Sequence, residues 1–255
     1  MKKQFIQEVK NGFKQQTEEP KVIKNEDIAH LPELVKKYLH FVGVVGKENV
    51  YNMKVSFSGR LRGAPEAPWM KMKAIQYSFF KHAIRLFYIK AYKAGIPAFG
   101  LHIFKNGKAS MVVKFLGLFK LVDNKGKEMD IAETVTHFND MCLMAPSTLV
   151  GADIKWKATG NSSVNAGFTN NGITISADLF FNEKGALVNF ISNNRYDLSN
   201  PSHPELYPFS TPIESYKNFN GFNLPEKAKT IYHKPGGDFC YGEFCLESIF
   251  YNVDR

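Results

Sequence analysis

From Val50 onward apolar and polar positions alternate with a period of two. Met53, Val55 and Phe57 alternate with Lys54, Ser56 and Ser58, a pattern that predicts a strand with one buried face. The pattern recurs at 69–79, 85–92, 98–104 and 109–116. It returns at 154–159, 164–169, 173–181, 186–193, 210–219, 227–233 and 239–253. Asn106-Gly107, Asn171-Gly172 and Asn220-Gly221 fall between such runs, and Asn-Gly is a tight hairpin signal. Residues 124–126 predict another turn, and the proline-rich stretch 201–212 a long loop across one edge. Short strands at this spacing predict an antiparallel meander of about ten or eleven strands. So large a sheet must curl, split into layers or close.

Helical periodicity appears three times, twice before the strands and once among them. Phe5, Ile6, Val9 and Phe13 recur at helical spacing among Lys2, Lys3, Lys10 and Lys14. That basic amphipathic stretch either docks on the domain or lies on an anionic membrane. Residues 18–27 are polar, contain Pro20 and read as a linker, and a second helix is predicted over Leu31 to Val42. The third runs from Asp130 to about Met144, with Asp130 and Glu133 as a capping box and Pro146 as the stop. Ile131, Val135, Phe138, Cys142 and Ala145 form its apolar stripe, which is expected to plug the concave side of the sheet. The fold class expected is mainly β (α+β): a strongly curved antiparallel sheet or half-barrel wrapping a central helix. Residues 1–26 form a helix and linker, and 27–255 a single curved β domain carrying the helix at about 130–145.

Composition narrows the setting. The 255 residues include 22 Phe and 11 Tyr, enough for a large aromatic core. No run of about 18 apolar residues is present, and the first residues lack the pattern of a secretory signal, so the chain as given reads as cytoplasmic, with peripheral membrane contact as an option. Cys142, Cys240 and Cys245 include no C-x-x-C pair and read as buried thiols. Charge is uneven: residues 54–127 carry fifteen Lys and Arg against two acids, Glu66 and Asp123, while 128–255 carry nine against fifteen. The basic stretch must face an anionic partner or pair with the acidic half of its own chain. Lys and Arg interleaved with aromatics suit nucleic acid, but an acidic half sharing the same sheet disfavours that partner.

The sharpest constellation is Glu133, His137 and Asp140, at i, i+4 and i+7 on one helix face. Three readings fit it: a solvated polar face, an ion pair to the basic segment, or a metal or His–carboxylate site. H-x-x-D is not a metal signature, and no nucleophile elbow, Walker loop or dinucleotide fingerprint occurs. No catalytic residue, metal or cofactor is therefore assigned. An enzyme of unknown reaction using this face, with Arg195 as an anion clamp, stays the alternative to a binding protein for an apolar or amphipathic anionic molecule. Candidate ligand-lining residues are Phe57, Trp69, Phe79, Phe87, Phe99, Phe115, Phe138 and Met144, with Arg85 and Arg195, and with Lys71, Lys73 and Lys90 near a head group.

Several long runs resemble an uncharacterised bacterial family of unknown function. They are ETVTHFNDMCLMAPSTL (133–149), FTNNGITISADLFFNEKGALVNF (168–190), Asn194-Arg195-Tyr196 and GDFCYGEF (237–244). The pieces LPELVKKYL, GIPAFGLHIF and GKASM extend the likeness from about residue 31. The family has no established activity, so the resemblance carries over no catalytic residues. It implies a fold similar to the bacterial lipoprotein carriers (LolA-like), which hold acyl chains in a concave cavity; fold alone does not set function.

Overall fold

Each Asn-Gly signal closes a hairpin in the computed structural model, which describes residues 1–16, 19–93, 95–200 and 202–254. Asn106, Asn171 and Asn220 take φ of 53°, 48° and 53°, followed by glycines at 69°, 76° and 88°. Both central residues thus adopt the left-handed twist that a two-residue hairpin demands.

Three helices, α1 (Lys2–Gln15), α2 (Asn25–Ile28) and α3 (Glu33–Val42), precede a six-strand meander. Its strands are β1 (Asn52–Leu61), β2 (Met70–Phe79), β3 (Ile84–Lys93), β4 (Ile96–Lys105), β5 (Lys108–Phe115) and β6 (Phe119–Lys125). Helix α4 (Lys127–Met144) then leaves that edge of the sheet and crosses to the other. The return path runs through β7 (Ile154–Ala158), β8 (Ser163–Asn170), β9 (Ile173–Phe181) and β10 (Leu187–Ser192). Short β11 (Tyr196–Asp197), β12 (Glu205–Leu206) and β13 (Phe209–Ser210) lead into β14 (Ile213–Phe219), β15 (Phe222–Lys234) and β16 (Gly237–Tyr251). The last strand pairs with the first, from Met53↔Tyr251 to Leu61↔Gly242, so the chain ends stitch the sheet through its middle. The order is β6-β5-β4-β3-β2-β1-β16-β15-β13-β10-β9-β8-β7, with β14 on β15. The sheet curls through about 250° as a half-barrel, and α4 lies in its hollow.

The α4 apolar stripe behaves as its periodicity predicts. Val135, Phe138, Cys142 and Ala145 have no exposed surface. Phe138 stacks on Phe168 of β8 at 4.8 Å and meets Phe190 of β10 at 5.8 Å. Burial of each such ring contributes about 1.5–3 kcal/mol. Two tyrosines satisfy carbonyls in the last turn of the helix, which otherwise lack partners. The Tyr38 hydroxyl donates to the Cys142 carbonyl at 2.7 Å, and Tyr251 donates to that of Met144.

Helix α1 docks on the convex side. Phe5 and Val9 pack with Phe79, Leu86, Leu101 and Ile103, so its apolar face meets the sheet. Gly12 makes that approach possible, because a Cβ there would lie 2.3 Å from the Phe79 ring. Glu18, in the expected linker, and Pro201, at the start of the expected long loop, lie outside the described residues.

Three expectations are corrected. Helix α4 starts a turn early, after Gly126, and Asp130 does not cap it. Its carboxylate instead accepts from the Ala109 amide at 2.7 Å and the Lys108 ammonium at 2.9 Å, where a strand donor needs a partner more than the helix does. The strand count exceeds the expected ten or eleven, partly because Leu116-Gly117 makes a hairpin turn with no polar signal and adds β6. Within the proline-rich loop, Phe209 and Ser210 form a two-residue bridge between β10 and β15.

All three cysteines are free, with Cys142 buried and Cys240 and Cys245 half-buried. Among the described residues no helix is long and apolar enough to cross a membrane.

Candidate functional site

Strand alternation sorts side chains into those that face α4 and those that face outward. On β3, Arg85, Phe87, Ile89 and Ala91 point inward, whereas Tyr88 and Lys90 point out. The inward residues, with those of neighbouring strands, enclose a cavity of about 570 Å³ against α4. That volume lies within the usual range for small-molecule sites. Its walls include Phe57, Phe87, Ile89, Met111, Val113 and Phe244. Gly63, Leu121 and Ser199 line it while exposed to solvent, which places the mouth beside the β1–β2 loop and β6.

One wall is charged. The Arg85 Nε donates to Asp140 Oδ2 at 2.7 Å, and its Nη1 to Glu133 Oε2 at 3.1 Å. All three side chains are close to fully buried. Gln76 adds a bond to the same Asp140 oxygen at 2.7 Å, and His102 Nδ1 stands 3.6 Å from Glu133 Oε1, outside hydrogen-bonding range. Burial opposes ionisation of Glu133, but Arg85, then His102 and Arg195, outweigh it and hold the carboxyl at about 2. For Asp140 burial prevails over Arg85 and Gln76, and the group titrates above its ordinary value. The Arg85 guanidinium also loses hydration, yet its two carboxylates more than compensate and raise its pKa.

His137 departs from its two neighbours. Its ring sits between Phe80, Phe104 and Phe168 at centroid distances of 5.9, 5.8 and 6.4 Å, and it does not line the cavity. Its Nδ1 is buried without a partner among the described residues. Burial, then the charge of Arg85, lowers its pKa to about 4, so the ring is neutral at pH 7. Of the three readings of this helix face, the geometry is that of an ion pair to the basic segment. The face is neither solvated nor arranged as a His–carboxylate relay, and no group of acids, His and Cys suited to a metal occurs among the described residues.

Arg195 approaches the cavity from the segment after β10. Its Nε donates to Thr136 Oγ1 at 3.3 Å and its Nη1 to the Tyr232 hydroxyl. The guanidinium lies 4.4 Å from the Phe209 ring centre, 5.2 Å from that of Tyr232 and 5.8 Å from that of Tyr241. Unlike Arg85, it makes no ion pair among the described residues.

The structure brings together Phe57, Arg85, Phe87, Glu133, Asp140, Met144 and Arg195 around the cavity. It does not bring the other candidates there. Phe79 faces α1 at 5.1 Å from Phe13, and Phe99 stacks on Tyr88 on the outer face, because both have the outward strand parity. Trp69 lies in the β1–β2 connection between Arg60 and Arg62, each 4.6 Å away. Phe115 ends β5 opposite Phe119, and Phe138 belongs to the core stripe of α4. Lys71, Lys73 and Lys90 have outward parity as well, so they cannot meet a head group inside. Reading parity along β2 to β4 would have separated these sets; Tyr232, Tyr241 and Phe209 around Arg195 carry no local signal, since distant strands assemble them.

Several solved structures are similar to the chain at low identity, three of them as follows. One is a domain described as an outer membrane lipoprotein-sorting protein from Vibrio parahaemolyticus, at 8% identity and TM-score 0.48 over 80% of this chain and 86% of that one. A LolA superfamily protein from Nitrosomonas europaea follows at 10% and 0.47, over 87% and 93%. A DUF1329 family protein from Desulfovibrio piger stands at 9% and 0.44, over 88% and 92%. No curated protein matches the sequence. Residues 21–244 match the family of unknown function DUF6544, and the chain belongs to that family.

Proposed function

We propose that the protein binds a small amphipathic molecule in the hollow of its half-barrel, apolar chain along the aromatic wall and anionic head on Arg195. The supporting observation is the pairing of a roomy, mostly apolar cavity with the half-buried Arg195 guanidinium, which touches no carboxylate among the described residues and feels Glu133 and Asp197 only at longer range. Arg85 cannot take that role, because Glu133 and Asp140 already occupy it. A half-buried guanidinium with no carboxylate in contact can still accept a direct ion pair, and an anionic head group would supply it. Phe57, Phe87 and Met144 are the sequence candidates assigned to the ligand chain, and Arg195 is assigned to its head. The protein is taken to act in the cytoplasm with peripheral membrane contact, as a carrier or sensor of its ligand rather than as a catalyst.

Native mass spectrometry of the purified protein, followed by solvent extraction, tests this. A bound mass in the wild type that is lost or greatly reduced in Arg195→Gln is the expected result. A wild type that carries no ligand and takes up none from a panel of fatty acids and lysophospholipids would sink the proposal.

A further inference from the structure

Hairpin turns are normally polar, yet the β5–β6 turn reads Phe115-Leu116-Gly117-Leu118-Phe119. Leu116, Leu118, Phe119 and Leu121 are 48%, 75%, 64% and 62% exposed. At the same end of the sheet, Tyr92 and Ile96 flank the β3–β4 turn and are also exposed; the Leu116 amide donates to the Pro97 carbonyl at 3.0 Å and ties the two tips together. Contiguous exposed apolar residues of this kind mark an interaction surface.

Just below the tips runs a row of cations. Lys73 is paired with Lys90, Lys90 with Phe99, Phe99 with Lys114, and Lys114 with Lys120, across five consecutive strands. Directly opposed residues share a face, so these lysines form one belt on the convex side. Like charges set opposite one another are destabilising unless an anion lies between them. Lys120 is held by Asp123 at 2.6 Å, but Lys73 and Lys114 have no ion pair among the described residues. Lys71 and Lys93 stand nearer the tips and are exposed. Leu121 belongs to both features, since it lies on the apolar hairpin and lines the cavity mouth.

We infer that this end of the half-barrel docks on an anionic lipid bilayer, with Tyr92, Ile96 and the β5–β6 tip in the acyl boundary and the lysine belt at the phosphates. Apolar tips above a cationic belt match the depth order of a membrane interface, which a nucleic acid or an acidic protein does not offer. Docking sets the cavity mouth against the lipid, giving an amphipathic ligand a route that avoids water. Docking by this surface does not depend on the cavity holding a ligand, and its test is separate.

The test is flotation of the full chain with phosphatidylcholine vesicles, with and without phosphatidylglycerol, at low and high salt. Binding to the anionic vesicles that falls with salt is expected. Leu118→Ser with Phe119→Ser should weaken it at least roughly tenfold, and Lys90→Gln with Lys114→Gln by about fivefold per lysine. A Leu118→Trp chain, folded like the wild type by circular dichroism, should blue-shift its fluorescence with anionic vesicles. Absence of vesicle binding, binding unaffected by either double substitution, or no blue shift overturns the inference. So does an oligonucleotide that binds where vesicles do not, or a concentration-dependent dimer that Leu118→Ser with Phe119→Ser abolishes without any vesicle binding.

Discussion

Arg85 and His137 sit on or against the same helix, and burial acts on them in opposite ways. Arg85 is buried with two carboxylates, so removing it strands two negative charges in a low-dielectric wall. Arg85→Met should destabilise the protein by about 3–5 kcal/mol in urea unfolding; adding Glu133→Gln and Asp140→Asn should recover much of that loss, and failure to recover would deny the coupling. His137 is buried neutral, with a folded pKa of about 4 against an unfolded value near 6.5. A depressed folded pKa means stability fully present above 6.5 and lost as pH falls toward 4, here on the order of 3 kcal/mol. Glu133, also depressed, adds a loss below 4.5 that completes near 2, while the raised Asp140 works the other way and is relieved by acid. His137→Leu should be neutral or mildly stabilising at pH 7, since it removes an unpartnered buried nitrogen. It should also flatten the pH 6.5–4 limb; a limb that persists in the variant would place the titration elsewhere. Spacing marked Glu133, His137 and Asp140 as one group, but which partners they meet depends on β2 to β4, some fifty residues upstream.

Among the elements, α1 shows how one residue governs docking. Gly12 lies against the Phe79 ring at a distance that leaves no room for a Cβ. Alanine gains about 1 kcal/mol in helix propensity over glycine, but overpacking costs about 1–3 kcal/mol, so the clash should win. Gly12→Ala is expected to speed amide exchange in α1 while β1 and β16 keep their protection; unchanged exchange in α1 would mean the ring yields freely. The strands and the Asn-Gly hairpins were legible because period-two alternation and positive-φ turns leave local marks. The Leu116-Gly117 turn and the Phe209-Ser210 bridge were not, because an apolar turn mimics strand and a two-residue bridge is too short to show a period. The start of α4 departs from its local signal for a related reason: Asp130 carries a capping signature, but the amide of Ala109 on the adjacent strand claims its carboxylate.

For the molecule as a whole, the topology makes the cavity. Strands laid outward from β1 and inward to β16 build one continuous sheet, and the crossover helix must then pass through the hollow it creates. Charge asymmetry along the sequence resolves into two outcomes in space. Arg60 pairs with Glu243, Lys108 with Asp130, and Arg85 with Glu133 and Asp140, so part of the basic segment is neutralised by the acidic half. The lysine row of β2 to β6 faces outward, and apart from Lys120, which Asp123 holds, it keeps its field. Composition could announce the imbalance but not its partition, which depends on strand parity. Whether the hollow is a ligand site is decided most directly by native mass spectrometry of the wild type beside Val113→Trp, which fills the cavity from its wall. The expected result is a bound amphipathic mass in the wild type and none in the filled variant, with both chains equally folded. A ligand-free wild type, or an equal load on the two proteins, would contradict the proposal.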